Sequence, residues 1–476
     1  MRRILMLIFA LTVLLFPACA LAGTRALLVA CKEFISQPDL GSASSGNLHM
    51  IGSALIGADP RLEVLSIEDG TIGTPKALGV SISSAFGSAD EDDLSILYLC
   101  THGVVSSSDD GQVYLLLGDG ETESPLSAAQ LTDMVAAIPG EKLLIIDACY
   151  SGALIGRGMS MSMPDLLLTD PSIHVLTSAD GHESSWYYDS DHLSNGALSY
   201  FASAFSSGLG LYGRPEADSD GDGSVTLEEM HRYLSVSVPS SSSQLHSARS
   251  ASLRLPVTSG AMLSRPLTGF AYSTSLLRTD EPVLSFSFTA AQDTAVQYRL
   301  VEYEAGQWNW DEAQVFLDSG DDGNGLISTG RHTRTLTLSS IATQDSGYLM
   351  LQVFSMSGDE LILCSERLIG IQPAGTDASL SLACPPSAAR GPVPVRVSLD
   401  VPAEITVCVY DSEGQLVRRL CTGQLTRPSP TGDFYLHWDG CDAQGQPAKE
   451  GVYAITAEAR IGERRQSAVC EVDIGL

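Results

Sequence analysis

The sequence predicts an α/β sandwich followed by two all-β sandwiches, and three observations carry that expectation. From residue 24 to about 235, apolar runs of strand length alternate with helix-length stretches, the pattern of a sheet covered by helices. From 267 onward the runs become short and alternating and are broken by Asp/Gly turns, as in antiparallel sandwiches. Two of the early runs, Leu97-Tyr98-Leu99-Cys100-Thr101-His102-Gly103 and Leu143-Leu144-Ile145-Ile146-Asp147-Ala148-Cys149-Tyr150-Ser151-Gly152, stop abruptly at polar side chains and a glycine. Open α/β sheets present reactive groups at strand carboxyl ends in this way.

In chain order, residues 1–22 read as a signal peptide. Arg2 and Arg3 precede an apolar core from Ile4 to Phe16, and Ala20-Leu21-Ala22 supplies a small-x-small cleavage signal. Phe16-Pro17-Ala18 before Cys19 is a poor lipobox, so cleavage rather than lipid attachment is expected. Strands are expected at 25–31, 94–100, 113–117, 143–148 and 172–177, with helices at 46–56, 127–138, 196–207 and 226–235. The passage from Ser235 to Ser252, with Pro239-Ser240-Ser241-Ser242-Ser243, has no period and reads as polar and flexible. These signals divide the mature chain into an α/β domain over 23–265 and β-sandwiches over 266–373 and 374–476. In the first sandwich the cues are Val283 to Phe288, Gly347 to Val353 and the turn Ser319 to Gly325. In the second they are Val393 to Val397, Ala403 to Tyr410, the turn Asp411-Ser412-Glu413-Gly414, Trp438-Asp439-Gly440 and Gly451 to Ile455.

The paired strand ends, His-Gly and then Asp-Ala-Cys-Tyr-Ser-Gly, resemble the caspase and metacaspase-like cysteine peptidases. Arg25 to Cys31 looks like that family's first strand, and Val175 to Asp180 like the strand and turn after the nucleophile. The resemblance implies a caspase-like three-layer sandwich, with Cys149 as nucleophile and His102 as acid/base. Peptide cleavage also needs donors for the oxyanion, here assigned to the backbone N–H groups of Gly103 and Cys149. The resemblance further implies that Asp147 lines a pocket for Arg or Lys before the scissile bond, with Ser178 as a second substrate contact. The family's second acid finds no match between Leu40 and Met50. Caspase-like zymogens are commonly cut after the catalytic strand, which makes Arg157, in a Gly/Ser/Met stretch, the candidate self-cleavage position. The last region, by its Trp438-Asp439-Gly440 and Gly451 to Ile455 segments, is similar to the Ig-like domain of flagellar hook-capping proteins. That likeness implies a spacer or a module for cell-surface attachment.

Asp218-Ser219-Asp220-Gly221-Asp222-Gly223-Ser224-Val225-Thr226-Leu227-Glu228-Glu229 follows the calcium-loop pattern. Asp218, Asp220, Asp222, Ser224 and Glu229 stand at ligand positions, and Gly221 permits the tight turn. Glycines before the loop interrupt any incoming helix, so only half an EF-hand is expected, with Ca2+ in a structural role and no organic cofactor.

The formal net charge of −30 over 476 residues excludes nucleic acid as a partner and favours divalent cations and basic substrates. No run after the leader approaches membrane-span length, so a secreted protein acting on protein or peptide substrates is expected. Cys364, Cys384, Cys408, Cys421, Cys441 and Cys470 form an even set that invites disulfides, with the connectivity open. Cys31 and Cys100 read as buried thiols or as near neighbours on adjacent strands. Two other readings stand beside the endopeptidase: a non-catalytic adhesion or scaffold protein, and a legumain-like peptide ligase.

Overall fold

The computed structural model describes residues 23–475, apart from 59–61, 69–71, 107–111, 157–169, 189–197, 248, 259, 304–314, 319–325, 339–346, 358–359, 376–377, 389–392, 428–432, 445 and 462–463. The leader, Arg157 and the 319–325 turn thus lie outside the described residues.

Among the described residues, thirteen strands belong to the α/β part. They are β1 (Thr24–Ala30), β2 (Glu63–Glu68), β3 (Leu94–Cys100), β4 (His102–Val105), β5 (Val113–Gly118), β6 (Glu123–Leu126), β7 (Glu141–Asp147), β8 (Ile173–Thr177), β9 (Tyr187–Tyr188), β10 (Leu198–Ser199), β11 (Val225–Thr226), β12 (Gln244–His246) and β13 (Arg254–Leu255). Among the same residues the helices are α1 (Ser42–Ala58), α2 (Pro75–Phe86), α3 (Ala128–Ala136), α4 (Tyr200–Gly208) and α5 (Leu227–Ser237). The main sheet runs β12-β8-β7-β3-β1-β2, parallel except at the β12 edge. Strands buried on both faces read as continuous apolar runs, and β1, β3, β7 and β8 are of that kind.

Alternation along each strand sends side chains to two separate cores. Leu28, Tyr98 and Ile145 pack under α1, α4 and α5, whereas Val29, Leu99 and Ile146 pack under α2 and α3. Helix starts follow local chemistry. Thr74 caps α2 with Pro75 in its first turn, and capping boxes open α3 (Ser127, Gln130) and α5 (Thr226, Glu229).

The serine passage departs from expectation. Ser240, Ser241 and Ser243 are buried, and the chain continues directly into β12, antiparallel to β8. The Ser241 hydroxyl donates to the Ser178 carbonyl at 2.7 Å. Polar composition alone suggests solvent exposure, but a serine buried against a backbone carbonyl has its hydrogen bond supplied.

The β-rich remainder holds β14 (Leu267–Tyr272), β15 (Leu276–Arg278), β16 (Val283–Ala290), β17 (Ala295–Tyr303), β18 (Val315–Asp318), β19 (Gly330–Thr337), β20 (Gly347–Ser357) and β21 (Glu360–Gln372). It then continues through β22 (Leu380–Ala383), β23 (Ser387–Ala388), β24 (Val393–Leu399), β25 (Glu404–Tyr410), β26 (Leu416–Leu425), β27 (Asp433–Trp438), β28 (Gly451–Ile461) and β29 (Arg464–Ile474). The first eight form sheets β14-β16-β19 and β15-β21-β20-β17-β18. The last eight form β22-β24-β27 and β23-β29-β28-β25-β26, the same order strand for strand. Each has its own apolar core, the second centred on the fully buried Trp438, whose Nε1 donates to the Cys441 carbonyl at 2.8 Å.

Where the three parts meet, Val236, Val301, Tyr303, Met350, Leu368 and Leu425 share one apolar cluster. Arg427 donates to the carbonyls of Ser235, Val238 and Pro239, which lie in the last turn of α5 and just beyond it. Helix ends leave carbonyls without intrahelical partners, and a guanidinium fork satisfies several at once.

Candidate active site

The site forms where two neighbouring parallel strands end. β3 and β7 pair in register up to Cys100 opposite Asp147, and Thr101 N donates to the Asp147 carbonyl at 3.2 Å. Two residues further along each chain stand His102 and Cys149. Gly103 packs on the backbone of Cys149 so closely that a Cβ there would lie 1.7 Å from the Cys149 carbonyl oxygen. Only glycine fits.

Directly after Cys149 the chain turns sharply. Tyr150 has φ 58°, and among the described residues no other non-glycine residue has a positive φ. Such a conformation costs about 1–3 kcal/mol and persists only where the surroundings impose it. Here Tyr150 N donates to the Glu183 carbonyl at 2.8 Å, and the short 3-10 helix Ser151–Ile155 follows at once.

His102 is oriented by the loop after β1. Its Nε2 lies 2.8 Å from the Pro38 carbonyl, and its ring packs edge-on against Phe34 with centroids 4.6 Å apart. A carbonyl only accepts, so Nε2 carries the hydrogen and Nδ1 keeps the lone pair. Glu123 fixes the loop in turn, accepting from Ile35 N at 2.8 Å and Ser36 N at 2.9 Å. Cys149 Sγ donates to the Ser185 carbonyl at 3.7 Å. Burial pushes this thiol above its usual range, more strongly than the Ser185 contact lowers it. Among the described residues His102 and Cys149 share no hydrogen bond, so the resting group is a thiol.

Asp147 is buried, 4% exposed, within a ring of hydroxyls. Tyr98 (2.9 Å) and Ser199 (2.5 Å) donate to Oδ2, and Ser185 (3.1 Å) donates to Oδ1. Desolvation raises its pKa and these hydroxyls oppose the rise. Asn47 extends the network, accepting from Ser199 N at 2.8 Å and donating to Cys100 Sγ at 3.4 Å. It falls in the Leu40–Met50 segment, where the sequence offers no second acid. Ser178 is fully buried, and its hydroxyl accepts from Ala148 N (3.1 Å) and donates to Ala148 O (3.3 Å). It therefore braces the residue before Cys149. Pro38, Phe34, Ser185, Ser199 and Asn47 escape sequence reading, Pro38 because it acts through its backbone oxygen.

In the acidic loop, the carboxylates of Asp218, Asp220 and Asp222 lie within 4.8 Å of one another. Asp218 accepts from Gly221 N and Gly223 N at 2.8 and 3.2 Å, which turns the loop around its oxygens. These hard oxygen donors fit a divalent cation such as Ca2+. Glu229, the other expected carboxylate ligand, is not among these three. Glu229 accepts from Ser219 and Thr226 as the capping-box acid of α5, and Ser224 donates to Asp222. A cation held there should raise the melting temperature of the protein. At one hundred times the dissociation constant the gain is about 2.7 kcal/mol. Calorimetry with and without a chelator measures it, and an unchanged transition excludes a structural cation.

Residues 386–463 match the family described as the FlgD Ig-like domain, so the chain ends in an Ig-like module of that type. No curated protein matches the chain. Among solved structures it is distantly similar to caspase-1 from Spodoptera frugiperda, at 16% identity over 40% of this chain and 69% of that one, with a TM-score of 0.28. It is likewise similar to a protein from Geobacter sulfurreducens, at 14% identity over 44% and 88% of the two chains, with a TM-score of 0.31.

Proposed function

We propose that the α/β part is a caspase-like cysteine endopeptidase acting on protein or peptide substrates, with Cys149 as nucleophile and His102 as acid/base. The observation that carries this reading is the approach of the His102-Gly103 backbone onto Cys149, which leaves no room for a side chain at 103. In the reaction, Cys149 gives its proton to Nδ1 of His102, and its sulfur attacks the scissile carbonyl. The N–H groups of Gly103 and Cys149 receive the oxyanion. His102, its Nε2 steadied on Pro38, protonates the leaving amine, and water then hydrolyses the thioester.

Asp147 supports a preference for Arg or Lys before the cut, because a buried carboxylate gains most from a cation brought beside it. Ca2+ at Asp218, Asp220 and Asp222 steadies the fold away from the chemistry, and cleavage after Arg157 activates or tailors the chain. The leader, the absence of any described helix long and apolar enough to cross a membrane, and the Ig-like module support export and surface attachment.

A peptide library varied before the scissile bond tests the reading. Wild type should cut after Arg or Lys, and a peptidyl electrophile should label Cys149. Asp147→Asn should lose about 1.5–3 kcal/mol of that discrimination, the worth of a charged hydrogen bond. Preference for Asp or Asn before the cut overturns the role of Asp147, and labelling of another cysteine overturns the nucleophile.

A further inference from the structure

The last sandwich opens with β22, which pairs with β24, and the chain then crosses to the other sheet, where β23 pairs in parallel with β29. Leu380 N donates to the Gln466 side chain across 86 positions at 3.2 Å, and Ser387–Asp473 and Ala388–Ile474 pair in parallel at the same separation. Cys384 lies in that crossing, and the β23–β29 register carried three residues back brings it beside Cys470. Cys384 Sγ donates to the Glu471 carbonyl at 3.5 Å, and the Cys470 thiol hydrogen-bonds to Cys384. Both residues are half-exposed, within reach of a reagent.

No other two cysteines among the described residues are placed in this way. Cys421 stands opposite Val407 and not Cys408, Cys364 sits in the core of the preceding sandwich, and Cys441 follows Trp438 in a turn. Cys31 and Cys100 belong to opposite faces of the main sheet.

We infer that Cys384 and Cys470 are a disulfide site joining the residue that follows the first strand of the last sandwich to its last strand, formed by a disulfide-bearing oxidant such as oxidised glutathione or a dithiol oxidoreductase. Cys384 attacks first, since the hydrogen bond from Cys470 favours its thiolate while holding Cys470 protonated. Its sulfur displaces one half of the oxidant as a thiolate and leaves a mixed disulfide. Deprotonated Cys470 then attacks the Cys384 sulfur and displaces the second half. One S–S bond forms and one breaks, and two electrons and two protons pass from the cysteines to the oxidant. The closed loop spans nearly the whole domain, so it removes much freedom from the unfolded chain.

The test uses the full reduced chain exposed to oxidised glutathione, blocked with iodoacetamide and digested without reduction. A peptide linking Cys384 to Cys470, two hydrogens lighter than the sum of its parts, is expected. Dithiothreitol should lower the melting temperature of the oxidised protein by on the order of 10 °C. Cys470→Ser should show no such response and should retain glutathione on Cys384. Complete alkylation of both cysteines after oxidation, or a crosslink to a different cysteine, overturns the inference. Because the oxidant is supplied in the tube, the result stands apart from export and from peptidase activity.

Discussion

Cys149→Ala should abolish peptide cleavage, lowering kcat/KM by at least about four orders of magnitude, while the melting temperature stays near that of wild type. The sulfur's hydrogen bond to the Ser185 carbonyl is a long one, so its loss costs little. His102→Ala should fall nearly as far, and the double variant no further, because the two act as one unit. Burial holds the resting Cys149 as a thiol and no hydrogen bond ties it to His102. Its alkylation by iodoacetamide should therefore climb about tenfold per pH unit from about pH 6 to about pH 8, as the thiolate fraction rises. A flat profile would mean a preformed thiolate–imidazolium pair. Cleavage retained in Cys149→Ala would remove the mechanism altogether.

Gly103→Ala should cost about 10²–10³ in kcat, the usual price of a lost oxyanion donor. The added methyl would meet the Cys149 carbonyl oxygen at 1.7 Å and the Cys149 carbonyl carbon at 2.8 Å, both backbone atoms that no rotamer can move aside. The two strand ends must therefore part, carrying the Gly103 amide away from the position an oxyanion would take. KM should change much less than kcat, since the displaced donor acts mainly in the transition state. Steady-state kinetics on a good peptide substrate distinguishes the cases. Unaltered kcat would show that the Gly103 amide takes no part.

The sequence makes the buried framework readable for a physical reason. β1, β3, β7 and β8 are covered on both faces, and such strands must be continuously apolar. β2, with Glu63 and Glu68 at its ends, occupies an edge and carries no such run. α2 does announce itself through Thr74 and Pro75, a start signal that a search for apolar period alone passes over. At the site, side chains that speak through their own chemistry, His102 and Cys149, stand out from sequence. Groups that act through backbone atoms or by completing a hydroxyl ring do not: nothing marks Pro38, and Ser185 and Ser199 are two serines among many. Asp218, Asp220 and Asp222 cluster as their spacing requires, whereas Glu229 serves the helix start, a role its position three residues after Thr226 also encodes.

The grip of Arg427 on the end of α5 makes the carboxyl-terminal part a mechanical element. Ser242, three residues beyond the gripped Pro239, donates its N–H to the Glu183 carboxylate, and the Glu183 carbonyl holds Tyr150 beside Cys149. A load applied to the Ig-like domain would therefore have a short, hydrogen-bonded route to the backbone of Cys149. Strain in that domain and the geometry around Cys149 share one strut.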